Sequence, residues 1–249
     1  MSPTTRPGST LSDPHQLAAT ARSIVSCPAE IDLVVDGVAT VLDEDDTGGA
    51  GMLGLHDVHG APTFTCVPGS ELARAGELGR STLMTIASGL GPAGSPERTD
   101  SLVMAGRLEV AGTEDCACCG ETRVVVSLRL DFVLLSRRGE ADDEQQHRVP
   151  LEHYRSPVHH LNRGFLQRSV EHANDHHQDE LRRAISLSAG TRMADVLGVR
   201  LTGLSTRGVE VSWVDPEGAH RTRIDFPRAA RTTAELGELL RRELHAGLC

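Results

Sequence analysis

Apolar residues first recur at helical spacing, at Leu17, Ala18, Ala21, Ile24 and Val25. Asp13-Pro14 stands just ahead of them, an N-cap followed by the imino acid suited to a first helical turn. This pattern predicts a helix that ends near Cys27-Pro28. The spacing then shortens to alternation. Ile31–Val35 and Val38–Leu42 read as strands around Asp36-Gly37, a strong hairpin signal. Met52–Val58 and Thr63–Val67 flank a second turn at His59-Gly60. Ser70–Gly79 reads as a short helix capped by Ser70, and Thr82–Ala87 as a strand. After a loop at Ser88–Arg98, Ser101–Val110 and Arg123–Leu135 form two long strands. The second alternates at Val124, Val126, Leu128, Leu130 and Phe132. Strands in this number predict a closed or nearly closed antiparallel barrel, because closure hides sheet edges.

The pattern changes at Ser136–Arg148, which is charged and nearly free of apolar residues. It reads as a linker. Beyond Pro157, Leu166, Val170, Leu181 and Ile185 lay an apolar stripe along one long helix, Leu161–Ile185. Three strands follow: Val196–Leu204, Gly208–Val214 and Thr222–Phe226. A last helix, Ala234–His245, carries Leu236, Leu239, Leu240 and Leu244 behind a threonine cap. The fold class is therefore α+β, a barrel followed by a small α-β-β-β-α domain. The expected boundaries are a disordered tail over 1–11, the barrel over 12–135, the linker over 136–157 and the second domain over 158–249.

Composition narrows the function. The net charge is −10, which repels phosphate backbones and argues against nucleic-acid binding. Only six aromatic residues are present, too few and too scattered for base-stacking platforms. All 25 basic residues are arginine, so Schiff-base and other lysine chemistry is excluded. No apolar run approaches membrane-spanning length, and the first residues do not resemble a signal peptide. The expectation is a soluble cytoplasmic protein.

Histidine is the richest source of candidate chemistry. His172 and His176 stand four apart inside Glu171–Glu180, on one helical face, a spacing suited to a metal ion or to haem. Asp175, Asp179 and Glu180 lie close enough in sequence to orient a ring. A polar seam with hydrogen-bonded histidines accounts for the same residues. His159-His160 is an adjacent pair, so at most one of them ligates a given centre. Cys116, Cys118 and Cys119 crowd a hairpin loop without the second cysteine pair that a tetrahedral zinc site requires. Gly48-Gly49-Ala50-Gly51 lacks the spacing of a phosphate loop or dinucleotide fingerprint. No Gly-x-Ser-x-Gly elbow is present.

His172-Ala173-Asn174-Asp175-His176-His177-Gln178-Asp179-Glu180-Leu181 resembles the H-M-N-x-x-H-x-x-x-L signature of a helix–sheet–helix domain of uncharacterised function. Val199–Leu204, Gly208-Val209, Arg223–Pro227 and Ala234-Glu235-Leu236 are similar to its strands and last helix. In relatives this domain is fused to a split barrel similar to pyridoxamine 5′-phosphate oxidase. These include HugZ-type haem-utilisation proteins and plant proteins that bind glutamyl-tRNA reductase. Ser101–Leu108 resembles the barrel strand V-x-x-x-G-R/W-L.

The resemblance implies a barrel homodimer with ligand at the subunit interface. It implies haem as the cofactor, with oxidative haem degradation as an activity. His159, His160, His172 and His176 are the iron-ligand candidates, and Arg107 and Arg129 the propionate partners. Flavin-using relatives grip the FMN phosphate with Arg and Lys, where this chain offers only Arg74 and Arg80. That places FMN or a deazaflavin behind haem. A non-catalytic partner-binding role, like that of the plant relatives, is the alternative.

Overall fold

The computed structural model describes residues 13–38, 54–115, 120–138 and 144–244. The expected disordered tail, Gly48–Gly51 and the Cys116–Cys119 cluster lie outside these residues. So does almost all of the expected strand Val38–Leu42. The chain divides into two compact units, residues 1–159 and 160–249.

The first unit opens with α1 (Pro14–Ser26), where the Asp13 carboxylate accepts from the His15 amide at 3.0 Å. Strands β1 (Pro28–Val35), β2 (Leu55–Val58) and β3 (Ala61–Cys66) follow. Helix α2 (Glu71–Glu77) is capped by Ser70, whose hydroxyl accepts from Ala73 N. Then come β4 (Ser81–Ser88), β5 (Ser101–Asp115), β6 (Thr122–Arg138), β7 (Glu144–Arg148) and the short α3 (Leu151–Tyr154).

These strands form one curled antiparallel sheet, a half-barrel, in the order β1-β4-β5-β6-β3-β2, with β7 also on β6. Among the described residues β1 and β2 end the sheet unpaired with each other, so the expected closure is not made there. The Asp36-Gly37 turn forms as expected, with Gly37 at φ 75° and Val38 N donating to Val35 O. β1, however, pairs along its length with β4.

The charged stretch read as linker is partly sheet. β6 runs on to Arg138, and Glu144–Arg148 pairs with residues 134–138. Its side chains are mostly exposed, which is why no apolar alternation marks it. Alternation does hold in β4, β5 and β6. Met84, Ile86, Leu102, Met104, Leu128 and Leu135 point inward and share one core with Leu17, Ala21 and Ile24 of α1. A register shift falls at Ala105/Gly106. A Cβ on Gly106 would run into the backbone carbonyl of Arg129, so this bulge requires glycine.

The second unit contains α4 (Arg163–His176), α5 (Gln178–Ala189), β8 (Gly198–Ser205), β9 (Gly208–Asp215), β10 (Gly218–Asp225) and α6 (Thr233–Leu244). The single helix expected over Leu161–Ile185 is two helices, broken at His177, which adopts φ −122° and ψ 33°. The sheet order is β10-β9-β8, antiparallel throughout. Leu181, Ile185, Leu236 and Leu239 from the helices close over Leu201, Val209 and Val211. Thr232 Oγ1 accepts from Glu235 N, the threonine cap expected at α6, and the Glu235 carboxylate reaches back to accept from Arg231 N.

Candidate functional site

The outward face of the half-barrel places the arginine candidates. Residues with odd numbers on β4 and β5 point away from the core. In register across four strands lie Val34, Leu83, Ala105 and Phe132. Val34 is 58% exposed and Leu83 45%. With strands about 4.8 Å apart, this row makes an apolar band about 14 Å wide. Val103 and Leu134, paired with each other, lie beside it. The next row on the other side is Ser81, Arg107 and Arg129.

The two arginines are thus direct cross-strand neighbours at the margin of the band. Like charges placed opposite one another repel. Arg129 is partly compensated by Glu109, 3.0 Å from its Nε in an exposed pair. Arg148 closes another side of the band, with its guanidinium 5.5 Å from the Phe132 ring centre.

The histidine candidates fall in separate places. His159 is buried in the first unit, near His15 of α1 and beside α3, which carries His153. The His15 and His153 rings meet edge to face at 4.3 Å, and the His15 and His159 centroids are 6.5 Å apart. Helix α1 packs into the inner side of the sheet, so His159 and the Arg107–Arg129 pair belong to opposite sides of it. His160 begins the second unit.

His172 and His176 are exposed on α4 with ring centroids 4.9 Å apart, as their spacing predicts. His177 joins them: its Nε2 is 3.3 Å from His172 Nε2. Loss of hydration lowers the His172 pKa, and repulsion from His177, His176 and Arg168 lowers it further. That direction favours the neutral imidazole, the form that offers a lone pair to a metal.

No family model matches the chain, and no curated protein does. Among solved structures, a haem-binding protein from Mycobacterium smegmatis is 18% identical. That match covers 98% of this chain and 100% of the other, at a TM-score of 0.38. A protein of unknown function from Agrobacterium tumefaciens is 16% identical over 97% of this chain and 100% of its own, at a TM-score of 0.35. These scores carry no conclusion about this chain's ligand.

Three polar constellations escape sequence reasoning. Arg22 of α1 is buried, ion-paired with Asp57, and donates from Nη1 to Tyr154 O at 2.9 Å. Asp57 also accepts from Gly60 N. Burial raises the Tyr154 pKa first, and the Asp57 charge adds to it. Asn174, between the two motif histidines, reaches the free edge of β8. Its Nδ2 donates to Leu201 O at 3.0 Å and its Oδ1 accepts from Leu201 N at 2.8 Å. This explains an asparagine in the histidine stretch: it serves as a strand partner for an otherwise open edge. At the β9–β10 turn, Asp215 Oδ1 lies 2.7 Å from His220 Nε2 and accepts from the Glu217 and Gly218 amides. The His220 ring stacks on Trp213 with an interplanar angle of 16°. The histidine partner of this turn comes from the following strand, five residues beyond Asp215.

Among the described residues no helix is long and apolar enough to cross a membrane.

Proposed function

We propose that the chain binds haem on the outer face of its half-barrel, with two copies packing that face together. The observation that supports this reading is the apolar row Val34–Leu83–Ala105–Phe132 bordered by the Arg107–Arg129 pair. Haem combines an apolar macrocycle with two carboxylates, and when bound it supplies the redox iron. The residues fit such a group. Arg107 and Arg129 offer adjacent planar donors for carboxylates, a charge-assisted pairing that relieves their mutual repulsion. The apolar row, covered by a second copy, excludes water.

His159 lies with the helices on the other side of the sheet and does not serve a ligand held on this face. The remaining histidine candidates, His160, His172 and His176, belong to the second unit. The mixed-charge outer face of the second sheet supports the alternative, a surface for a protein partner. There Arg223 pairs with Asp225 at 2.6 Å and Arg221 with Glu210.

The test is a haem titration of purified protein followed by visible absorption. Wild type is expected to saturate near one haem per chain with a shifted Soret band. Arg107→Ala with Arg129→Ala should weaken binding at least about tenfold, the loss of one or more charge-assisted hydrogen bonds. Alanine is placed in turn at His160, His172 and His176, and loss of the Soret shift in one variant names the ligand. Decay of that band with ascorbate then tests oxidative haem degradation. A wild-type protein without saturable Soret change sinks the haem reading and leaves the partner-binding one, to be followed by pull-down. A yellow protein with flavin absorption would move FMN ahead of both.

A further inference from the structure

His172 and His177 are five residues apart. In an unbroken helix five residues turn the chain by about 500°, which leaves the two side chains about 140° apart. The break at His177 undoes that separation. It returns the His177 ring to His172, with ring centroids 5.1 Å apart and inclined by 68°. The two Nε2 atoms are 3.3 Å from each other. Two imidazole nitrogens held 2.0–2.1 Å from a tetrahedral zinc ion stand about 3.3 Å apart. Behind the pair, Glu180 Oε2 lies 3.9 Å from His177 Nδ1. The carboxylate stands beyond hydrogen-bond reach, and its negative field favours a proton on Nδ1 over one on Nε2, the arrangement that supports metal-bound histidine.

We propose that His172 and His177 chelate a divalent late-transition-metal ion through their Nε2 atoms. Imidazole donors select zinc, nickel or copper and leave magnesium and calcium unbound. A hydrogen bond between the two Nε2 atoms in the metal-free pair places one proton between them. When the ion binds, that proton leaves Nε2 through solvent, and both Nε2 lone pairs turn to the metal. Among the described residues no group of three or more His, Cys, Asp or Glu side chains is arranged to hold a metal. The pair is accordingly a two-donor chelate, and its remaining positions are open to solvent or to an exogenous ligand. His176, four residues from His172 on the same helical face, is not required.

The experiment is calorimetric titration of tag-free, haem-free full-length protein with Zn²⁺, with Mg²⁺ as control. Wild type should bind about one zinc ion per chain and ignore magnesium. His172→Ala and His177→Ala should each weaken zinc binding at least about tenfold, while His176→Ala changes it less than about threefold. His177→Gln, checked by circular dichroism, repeats the test if the alanine variant misfolds. Absence of saturable zinc binding overturns the proposal. So does binding that survives His177→Ala or is lost with His176→Ala. His177 has no part in the haem reading, so His177→Ala should keep its Soret shift while losing zinc. Arg107→Ala with Arg129→Ala should do the reverse.

Discussion

Arg22 is a cation sealed inside a core of small and branched apolar residues, and its partners decide whether it is tolerable. Asp57 neutralises it, the Tyr154 carbonyl accepts from it, and the Tyr154 ring lies beneath its guanidinium at 5.5 Å. A buried pair of this kind adds little against an apolar substitute, yet breaking it on one side strands a charge. Arg22→Ala should therefore cost about 3–5 kcal/mol, read as a lowered denaturation midpoint. Arg22→Leu combined with Asp57→Leu should cost clearly less than either change alone. Tyr154→Phe removes a buried hydroxyl that has no hydrogen-bond partner among the described residues and should be close to neutral. An Arg22→Ala protein as stable as wild type would contradict this account.

The Asp215–His220 pair gives a residue-scale prediction with a sign. The hydrogen bond from His220 is the largest influence lowering the Asp215 pKa. A carboxyl group depressed on folding contributes stability above its unfolded pKa, near 3.8, and loses it as pH falls through the folded value. Acid unfolding of the wild type should therefore include a component below about pH 4 that Asp215→Asn removes, seen as a shallower fall of melting temperature with acid.

At the scale of elements, the bulge of β6 opposite Ala105 and Gly106 is the place where one atom matters most. Gly106→Ala puts a methyl group against the Arg129 carbonyl, so either the register shift or the pairing of β5 with β6 must yield. We expect a loss of about 1–3 kcal/mol or more, with amide protection weakened around residues 105–107 and 129–132. Wild-type melting behaviour in that variant would mean that the bulge relaxes freely.

The elements most legible in the sequence are those with both a cap and a period. Asp13-Pro14 and Ser70 start α1 and α2 where their chemistry says, and the alternation of Val124 to Phe132 marks the inward face of β6 until the shift opposite Ala105/Gly106. β7 was hidden because Glu144, Gln145 and Gln146 are exposed and pair only through their backbone. The break at His177 was hidden because Leu166, Val170, Leu181 and Ile185 keep helical spacing across it. The apolar period follows the core, and it is blind to a residue that leaves helical geometry on the polar side. Within the candidate site, the i,i+4 spacing of His172 and His176 could be read directly. The nearness of His177, and the pairing of Arg107 with Arg129, depend on a helix break and a strand register that no local pattern specifies.

At the scale of the whole molecule, the outer sheet face matters most. An exposed apolar row in a chain of ordinary hydrophobicity is a surface awaiting cover. Self-association through it would be isologous, each copy presenting Val34 and Leu83 to the other. Val34→Asp with Leu83→Asp should leave the fold intact, since both side chains point away from the core. It should shift the protein from dimer to monomer in size-exclusion chromatography with light scattering. A wild-type monomer at high concentration would remove the dimer from the functional proposal.

The clasp formed by Arg22 also bears on synthesis. Its hydrogen bond to Tyr154 spans 132 residues of chain. On a ribosome adding about 5–20 residues per second, α1 emerges roughly 7–26 seconds before the carbonyl that completes its partner set. Until then Arg22 has Asp57 but lacks the carbonyl that completes its partner set. The amino-terminal unit should thus stay open through most of its own translation and close only when α3 arrives. Stalled nascent chains ending shortly before α3 should be cut readily by protease, and chains with residues through 159 clear of the exit tunnel should resist.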